Sequence, residues 1–393
     1  MTAELPAVDG LALYVHLPWC VAKCPYCDFN SHPIPKQLTP GAGNLIAGTS
    51  LETDYGAALR ADLAAELAHQ PRQRRIHSVF FGGGTPSLFG PRTFGALLEQ
   101  IGAALTSDCE ITLEANPGTQ EYADFEGYRA VGINRLSFGA QSFDAGQLER
   151  LGRIHSPAEI LRAFDKARRA GFERINLDLM YALPEQSAAA ALNDLAQALA
   201  LGPEHLSWYQ LTLEPKTEFG ARPPPLPDES TIAAIEEQGY QHLAAAGFER
   251  YEVSAYAQPG EVSRHNLSYW SFGDYLGIGA GAHGKYRSGE RTLRRRKASQ
   301  PRLYLRNSAA ADEEAVAPAL LPGEFAMNAL RLKAGVDASR YTATTGRSTT
   351  ELEATWAALT EQGLMHADRF AATEPGYRFL NDLVSRFYDA ATG

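Results

Sequence analysis

The chain has 393 residues, 45% of them hydrophobic and 21% charged, with a formal charge of −10. That length fits a domain of roughly 200–250 residues plus a smaller one, and the negative charge would repel phosphates, which argues against general nucleic-acid binding. No stretch approaches the ~18 apolar residues of a membrane span, and "MTAELPAVDG" lacks the basic start and apolar run of a signal peptide.

From residue 10 to residue 215 short apolar runs alternate with helical stretches. The strand candidates are "LALYVHL" (11–17), "IHSVFF" (76–81), "EITLEA" (110–115), "INRLSFG" (133–139), "INLDLMY" (175–181) and "LSWYQLTL" (206–213). Between them lie helical patterns such as 55–70 and 156–171, the latter opening at Ser-Pro and ending at a glycine. Such a series predicts parallel strands covered by helices. Polar and glycine-rich groups follow strand after strand, as at the mouth of a barrel, whereas an open sheet concentrates its site at one switch point. The expected fold is therefore α/β, a partial (β/α)6 TIM-like barrel.

Three parts are expected: the barrel over 1–220, a middle region over 221–315 opening with the proline-rich linker "ARPPPLPDES" (221–230), and a small α+β domain over 316–393. The tail carries helical patterns at 348–364 and 377–389, and residues 33–50, lacking periodicity, read as a mobile loop. "GIGAG" (277–281) does not sit between a strand and a helix of a βαβ unit, so a dinucleotide fingerprint is not expected. The basic run "RTLRRRK" (291–297) reads as a solvated surface, with an anionic group such as a propionate as the other possible use.

Of four cysteines, three lie in "WCVAKCPYCDFN". A disulfide framework would spread them in even number along the chain, so a reducing cytoplasm is expected. Cys109 reads as a packed thiol. C-x3-C-x2-C lacks the second pair that a structural zinc site wants. A redox Cys24/Cys27 pair would leave Cys20 unexplained. Three thiolates, Cys20, Cys24 and Cys27, can instead hold a [4Fe–4S] cluster by three irons. The fourth iron is then open to the amino and carboxylate groups of S-adenosylmethionine, whose sulfonium one electron cleaves. The aromatic flanks Trp19, Tyr26 and Phe29 are expected to shield the cluster from solvent.

Elsewhere, the glycines of "FGGGTPS" (81–87) allow close backbone approach to a ligand. Glu114 stands at a strand end, and Asp178 inside an apolar strand must face a ligand, a partner or water. A salt-bridged structural role is its other reading. "YVHLPWCVAKCPYCDFNSH", "FFGGGTPS", "TLEANPGT", "RLSFGAQSF", "LGRIHS", "NLDLMYALP" and "HNLSYW" together resemble the radical SAM superfamily. They resemble specifically its branch of oxygen-independent coproporphyrinogen III oxidases and HemW-type haem chaperones. The similarity covers roughly residues 11–385, with "YALP" where "YGLP" is expected.

The resemblance implies that Gly83, Gly84 and Thr85 bind the methionyl part of S-adenosylmethionine, and that Tyr14, Glu114, Gln141, Arg153 and Asp178 also contact it. Arg153 could meet a carboxylate with its planar fork, or be a surface arginine. "RHNLSYW" (264–270) resembles the haem-binding motif of HemW-type proteins, which implies His265 as an axial ligand, with His283 the second candidate. His16 and His32 receive no role. The decarboxylases carry a further cysteine two residues after the third, where this chain has Phe29, and a longer segment before the cluster motif. Both departures favour a haem chaperone without coproporphyrinogen III oxidase activity; the alternative is a radical enzyme that decarboxylates porphyrinogen propionates. Haem as cargo, acceptor haemoproteins and an electron donor for the cluster are the expected partners, in the cytoplasm or peripherally at membrane haemoproteins.

Overall fold

The computed structural model describes residues 4–35, 46–70, 74–119 and 124–389. The segment 33–50 expected to be a loop falls largely outside the described residues; its described ends bury Ile34 and Ile46, and Thr49 caps the helix Ser50–Ala68.

Fourteen strands form among the described residues. They are β1 (Leu11–Leu17), β2 (Trp19–Cys20), β3 (His32–Pro33), β4 (Ile76–Gly83), β5 (Leu105–Ala115), β6 (Arg135–Gln141) and β7 (Arg174–Tyr181). The chain continues with β8 (His205–Gln210), β9 (Glu249–Arg250), β10 (Ala255–Ala257), β11 (Tyr275–Ile278), β12 (His283–Ser288), β13 (Arg291–Arg296) and β14 (Asp312–Ala315). Twelve make one sheet in the order β14-β13-β12-β11-β1-β4-β5-β6-β7-β8-β10-β9. The six expected strands β1, β4, β5, β6, β7 and β8 are its parallel centre, as the partial barrel requires.

The sheet does not stop at residue 220. β11 pairs parallel with β1, while β10 adds antiparallel to β8 and β9 antiparallel to β10. "GIGAG" does begin within a strand, β11, but it runs into β12 and opens no helix, unlike a dinucleotide fingerprint. The proline-rich 221–230 segment is not a hinge between bodies. It joins the short helix Glu218–Ala221 to the helix Glu229–Ala245, where bare Gly239 meets the Trp208 ring.

Local signals fix the helices. Ser156 and Glu159 form a reciprocal capping box with Pro157 in the first turn, so the helix Pro157–Arg169 starts where the sequence indicates. The tail helix expected over 377–389 is broken into Glu374–Tyr377 and Leu380–Asp389. These helices and Leu321–Ala329 enclose a second core around Phe325, Tyr341, Phe370 and Phe387. Isolated bridges Val336–Phe370 and Met365–Ala372 tie that core together. No helix among the described residues is long and apolar enough to cross a membrane.

The basic run is only partly a solvated surface, with Arg291 and Arg296 exposed and the rest paired or buried. It forms β13, where Arg294 pairs with Glu324, Arg295 with Glu66 and Glu313, and Arg296 with Asp312. Lys297, buried, reaches Asp62 at 2.5 Å and Glu66 at 2.6 Å. Charges taken out of water need such partners, and here they lock the β11–β14 extension onto the helix Ser50–Ala68.

Candidate functional site

The parallel strands are less apolar than they read. Every second residue faces the inside of the barrel, and that face is polar: Tyr14 and His16 on β1, Glu110, Thr112 and Glu114 on β5, Asn176 and Asp178 on β7, His205, Ser207 and Tyr209 on β8. Register puts Glu114 beside Ser137, Asn176 beside His205, and Asp178 beside Ser207. Side chains two apart on a strand share one face, so these groups converge from strands far apart in sequence.

At the C-terminal end of β1 the chain turns into the cysteine loop, clamped by the short β2–β3 ladder. Cys20, Cys24 and Cys27 are free and partly exposed. Thr85 Oγ1 donates to Cys20 Sγ at 3.7 Å and Arg153 Nη1 to Cys24 Sγ at 3.5 Å. Burial pushes the Cys20 and Cys27 thiols up, against hydrogen bonds from Thr85 to Cys20 and from the Phe29 backbone to Cys27. Among the described residues no three His, Cys, Asp or Glu side chains converge on one ion position. A cluster that takes each thiolate on a different iron asks for sulfurs that are spread. Donors aimed at the sulfurs also suit a site that must carry negative charge.

The glycine segment lies directly under this loop. Gly84 N–H donates to Leu17 O and Thr85 N–H to Trp19 O, both at 2.8 Å, while Gly83 N–H donates to Glu114 Oε2 at 3.0 Å. A Cβ at Gly84 would stand 2.5 Å from Trp19 O, and one at Gly83, whose φ is +115°, 2.5 Å from His16 Cε1. The glycines are therefore required by the close approach of the cysteine loop. Their N–H groups are spent inside the protein, which leaves the carbonyl side of the segment for a ligand.

Glu114 is half-buried, and desolvation, then the nearby Asp178, raise its carboxyl to about 8 against the Gly83 hydrogen bond. Asp178 is held by hydrogen-bond donors, Asn176 Nδ2 at 2.7 Å and Ser137 Oγ at 3.3 Å, and among the described residues it forms no ion pair, although the Arg135 charge lies within electrostatic reach. Burial raises it too, with the hydrogen bond of Ser207 the first effect opposing. A salt-bridged role for it is not what forms. Arg153 is no surface arginine. Its Nη2 donates to Gly139 O at 2.8 Å, its Nε is buried without a partner, and Tyr26 and Cys24 favour its charge against the penalty of burial. Gln141 has a φ of +67°, rare for a residue with a side chain, and accepts from Tyr209 O–H at 2.9 Å.

Tyr14 O–H donates to His16 Nδ1 at 2.9 Å, and His16 Nε2 donates to Asn30 O at 2.9 Å. Asn30 Nδ2 in turn reaches Ala280 O and Ser299 O. His16, given no role from sequence, thus ties β1 to the cluster loop and the β11 extension. Burial lowers its pKa, which keeps it neutral. Asn176, Ser137, Ser207 and Tyr209 were missed as well. The signal was present as polar residues at every second position of "RLSFGAQ", "INLDLMY" and "HLSWYQ".

His265 is only 2% exposed. It lies on the helix Arg264–Trp270, which plugs the floor of the barrel. Ser263 caps this helix, the His265 N–H donates to Glu110, and Arg264 pairs with Asp108 at 2.6 Å. The imidazole stacks on Phe80 at 5.1 Å and stands 6.5 Å from the Tyr14 ring; Nδ1 shares a hydrogen bond with Ser78 Oγ, and Nε2 is buried without a partner. Burial first, then His77, lowers its pKa to about 3. Tyr269 packs on Tyr275 at 4.3 Å, and Trp270 lies under Arg331 at 4.2 Å in the second core. His283 is exposed on β12, apart from this arrangement. Of the expected shielding aromatics, Trp19 packs into the core on Tyr55 and Tyr26 meets Phe219, but Phe29 is 61% exposed and shields nothing. Cys109 is packed inside β5, and burial pushes its thiol to about 12.

The profile of the radical SAM superfamily matches residues 14–196, and that of the HemN C-terminal domain residues 321–379. The protein of Haemophilus influenzae named heme chaperone HemW is 45% identical over 98% of this chain and 99% of its own length. Its namesake from Escherichia coli is 44% identical over 96% and 98%. Among solved structures, the radical SAM coproporphyrinogen III oxidase HemN of Escherichia coli superposes with a TM-score of 0.76 over 96% of this chain and 90% of its own, at 21% identity, a likeness of fold.

Proposed function

The chain belongs to the HemW-type haem chaperone family of the radical SAM superfamily, and on that premise we propose that it binds haem and delivers it to acceptor haemoproteins. The observation that carries this reading is end-to-end similarity to proteins named heme chaperones. Phe29, where the decarboxylases carry another cysteine, supports it further.

Under this reading residues 1–220 hold the cofactors, 221–315 carry the haem motif, and 316–393 form the small C-terminal domain. Cys20, Cys24 and Cys27 hold a [4Fe–4S] cluster. Tyr14, Gly83, Gly84, Thr85, Glu114, Gln141, Arg153 and Asp178 line the place for S-adenosylmethionine. That cofactor supplies two chelating groups for an open iron and a sulfonium whose C–S bond one electron can break. The fit rests on donors aimed at the sulfurs, the unpartnered Arg153 Nε, and two half-buried carboxyls of raised pKa at the barrel mouth. An electron donor serves the cluster when it is reduced. The protein acts in the cytoplasm, alone or docked at membrane haemoproteins, and does not bind nucleic acid.

His265 is the axial ligand in this reading. Its neutral imidazole suits iron, and its Nε2 has no other partner. Because it lies inside the barrel floor, haem is taken up by a form in which the helix Arg264–Trp270 has moved outward. The test is to offer haem and coproporphyrinogen III in parallel to the anaerobically reconstituted protein. The expected result is a haem spectrum with no protoporphyrinogen formed. Turnover of the porphyrinogen would overturn the chaperone reading.

A further inference from the structure

Tyr209 stands on the inner face of β8, a strand to which no cofactor role attaches in the reading above. Asp178, Tyr26, Arg153 and Glu114 all lie within electrostatic reach of its hydroxyl. That hydroxyl donates to Gln141 Oε1 at 2.9 Å, bridging 68 residues of sequence. The bond fixes which way the amide faces, because the oxygen is engaged and the nitrogen is turned away from Tyr209. The Gln141 Nε2 has no hydrogen-bond partner among the described residues. A Cβ built on Gly139 would meet that Nε2 at 2.9 Å and Arg153 Nη2 at 3.3 Å. Two N–H donors therefore sit side by side over bare backbone on the inner face of β6, one held by Tyr209 and the other by Gly139 O.

We propose that Tyr209 is a positioning residue for S-adenosylmethionine, holding the Gln141 amide so that its nitrogen, paired with Arg153, presents donors to the oxygen or ring-nitrogen acceptors of the cofactor. This rests on the assignment of Gln141 to the cofactor site. Without the hydroxyl the amide can rotate, and its oxygen then faces an acceptor. The left-handed backbone at Gln141 belongs to the same arrangement, since it swings the side chain across the end of β6 toward β8. Burial raises the Tyr209 phenol well above its ordinary range, so it remains a donor at any working pH.

The test uses full-length, anaerobically reconstituted protein with its cluster, titrated with S-adenosylmethionine. Tyr209→Phe removes one oxygen and keeps the ring. It should weaken binding about five- to tenfold, the worth of one such hydrogen bond, with iron content and melting temperature unchanged. The change that the cofactor causes in the electron paramagnetic resonance of the reduced cluster should persist but require correspondingly more cofactor. Gln141→Ala should weaken binding by at least as much, and adding Tyr209→Phe to it should cost nothing further, because Tyr209 acts only through the amide. Wild-type affinity in Tyr209→Phe, or a loss that adds in full to that of Gln141→Ala, would overturn the inference and leave the site assignment standing. Wild-type affinity in Gln141→Ala would overturn both.

Discussion

Raising the pH from 6.5 to 8.5 should tighten S-adenosylmethionine binding through Glu114, and Glu114→Gln should abolish that part of the dependence. Burial and the neighbouring Asp178 hold the Glu114 carboxyl protonated up to about pH 8. The cofactor brings a positive sulfonium and a diol that donates hydrogen bonds, both of which favour the ionised carboxylate. Affinity then follows the ionised fraction: about 3% at pH 6.5 and about 76% at pH 8.5, a gain of about 25-fold or about 1.9 kcal/mol, levelling above the pKa. The cofactor's own amino group titrates in the same range but contributes alike to both proteins. The ratio of the two profiles is therefore the readout. Equilibrium titration at five pH values, with proton release measured in two buffers of different ionisation enthalpy, supplies it. Linkage gives an independent check. The folded pKa lies above the ordinary value of 4.5, so this group's contribution to stability is full below about 4.5 and is lost as pH rises through about 8. Glu114→Gln should accordingly melt higher than the wild type at pH 8.5. Parallel affinity profiles in the two proteins, or proton uptake on binding, would refute the reasoning.

Three further outcomes are expected. His265→Ala should weaken haem binding at least tenfold and leave cluster iron intact, while lowering stability by about 2–3 kcal/mol because buried Ser78 loses its partner and a cavity opens; unchanged haem titrations would remove His265 from its role. Because burial holds its pKa near 3, haem binding through it should not fall between pH 7.5 and 5.5, as it would for an imidazole of ordinary pKa; absorption titrations across that range decide. Gly84→Ala places a methyl 2.5 Å from the Trp19 carbonyl, so iron content after reconstitution should collapse together with melting temperature, whereas an alanine at exposed Gly102, with open space around it, should leave iron content normal. Cys24→Ala should abolish cluster assembly, measured as iron and sulfide per chain; a normal content would overturn the ligand assignment.

Much of the site was legible from spacing. The cysteines fall within eight positions of one another, so a single loop carries all three thiols. Glu114 and Asp178 announced themselves as acids in apolar surroundings, and the structure places both inside the barrel. Other features misled for identifiable reasons. The basic run looked solvated because its partners Asp62, Glu66, Glu313 and Glu324 lie elsewhere in the chain. The glycine segment read as a ligand cradle; what its sequence could not reveal is that the same glycines also accommodate the backbone at Leu17 and Trp19, 65 or more residues away.

The sequence by itself determined what depends on neighbours along the chain: alternating strands and helices, the capping box at Ser156, the cysteine triplet and the motifs of the family. The tertiary structure alone decided what depends on strands meeting across the barrel. The inward face became polar only once register aligned Glu114 with Ser137 and Asp178 with Ser207. The hydroxyl of Tyr209 found the amide of Gln141 in the same way. His265, which the sequence offers as an open ligand, was instead closed against Ser78, 187 residues away. A hydrogen bond between side chains needs both atoms within about 3 Å, and for residues so distant in sequence only the fold supplies that proximity.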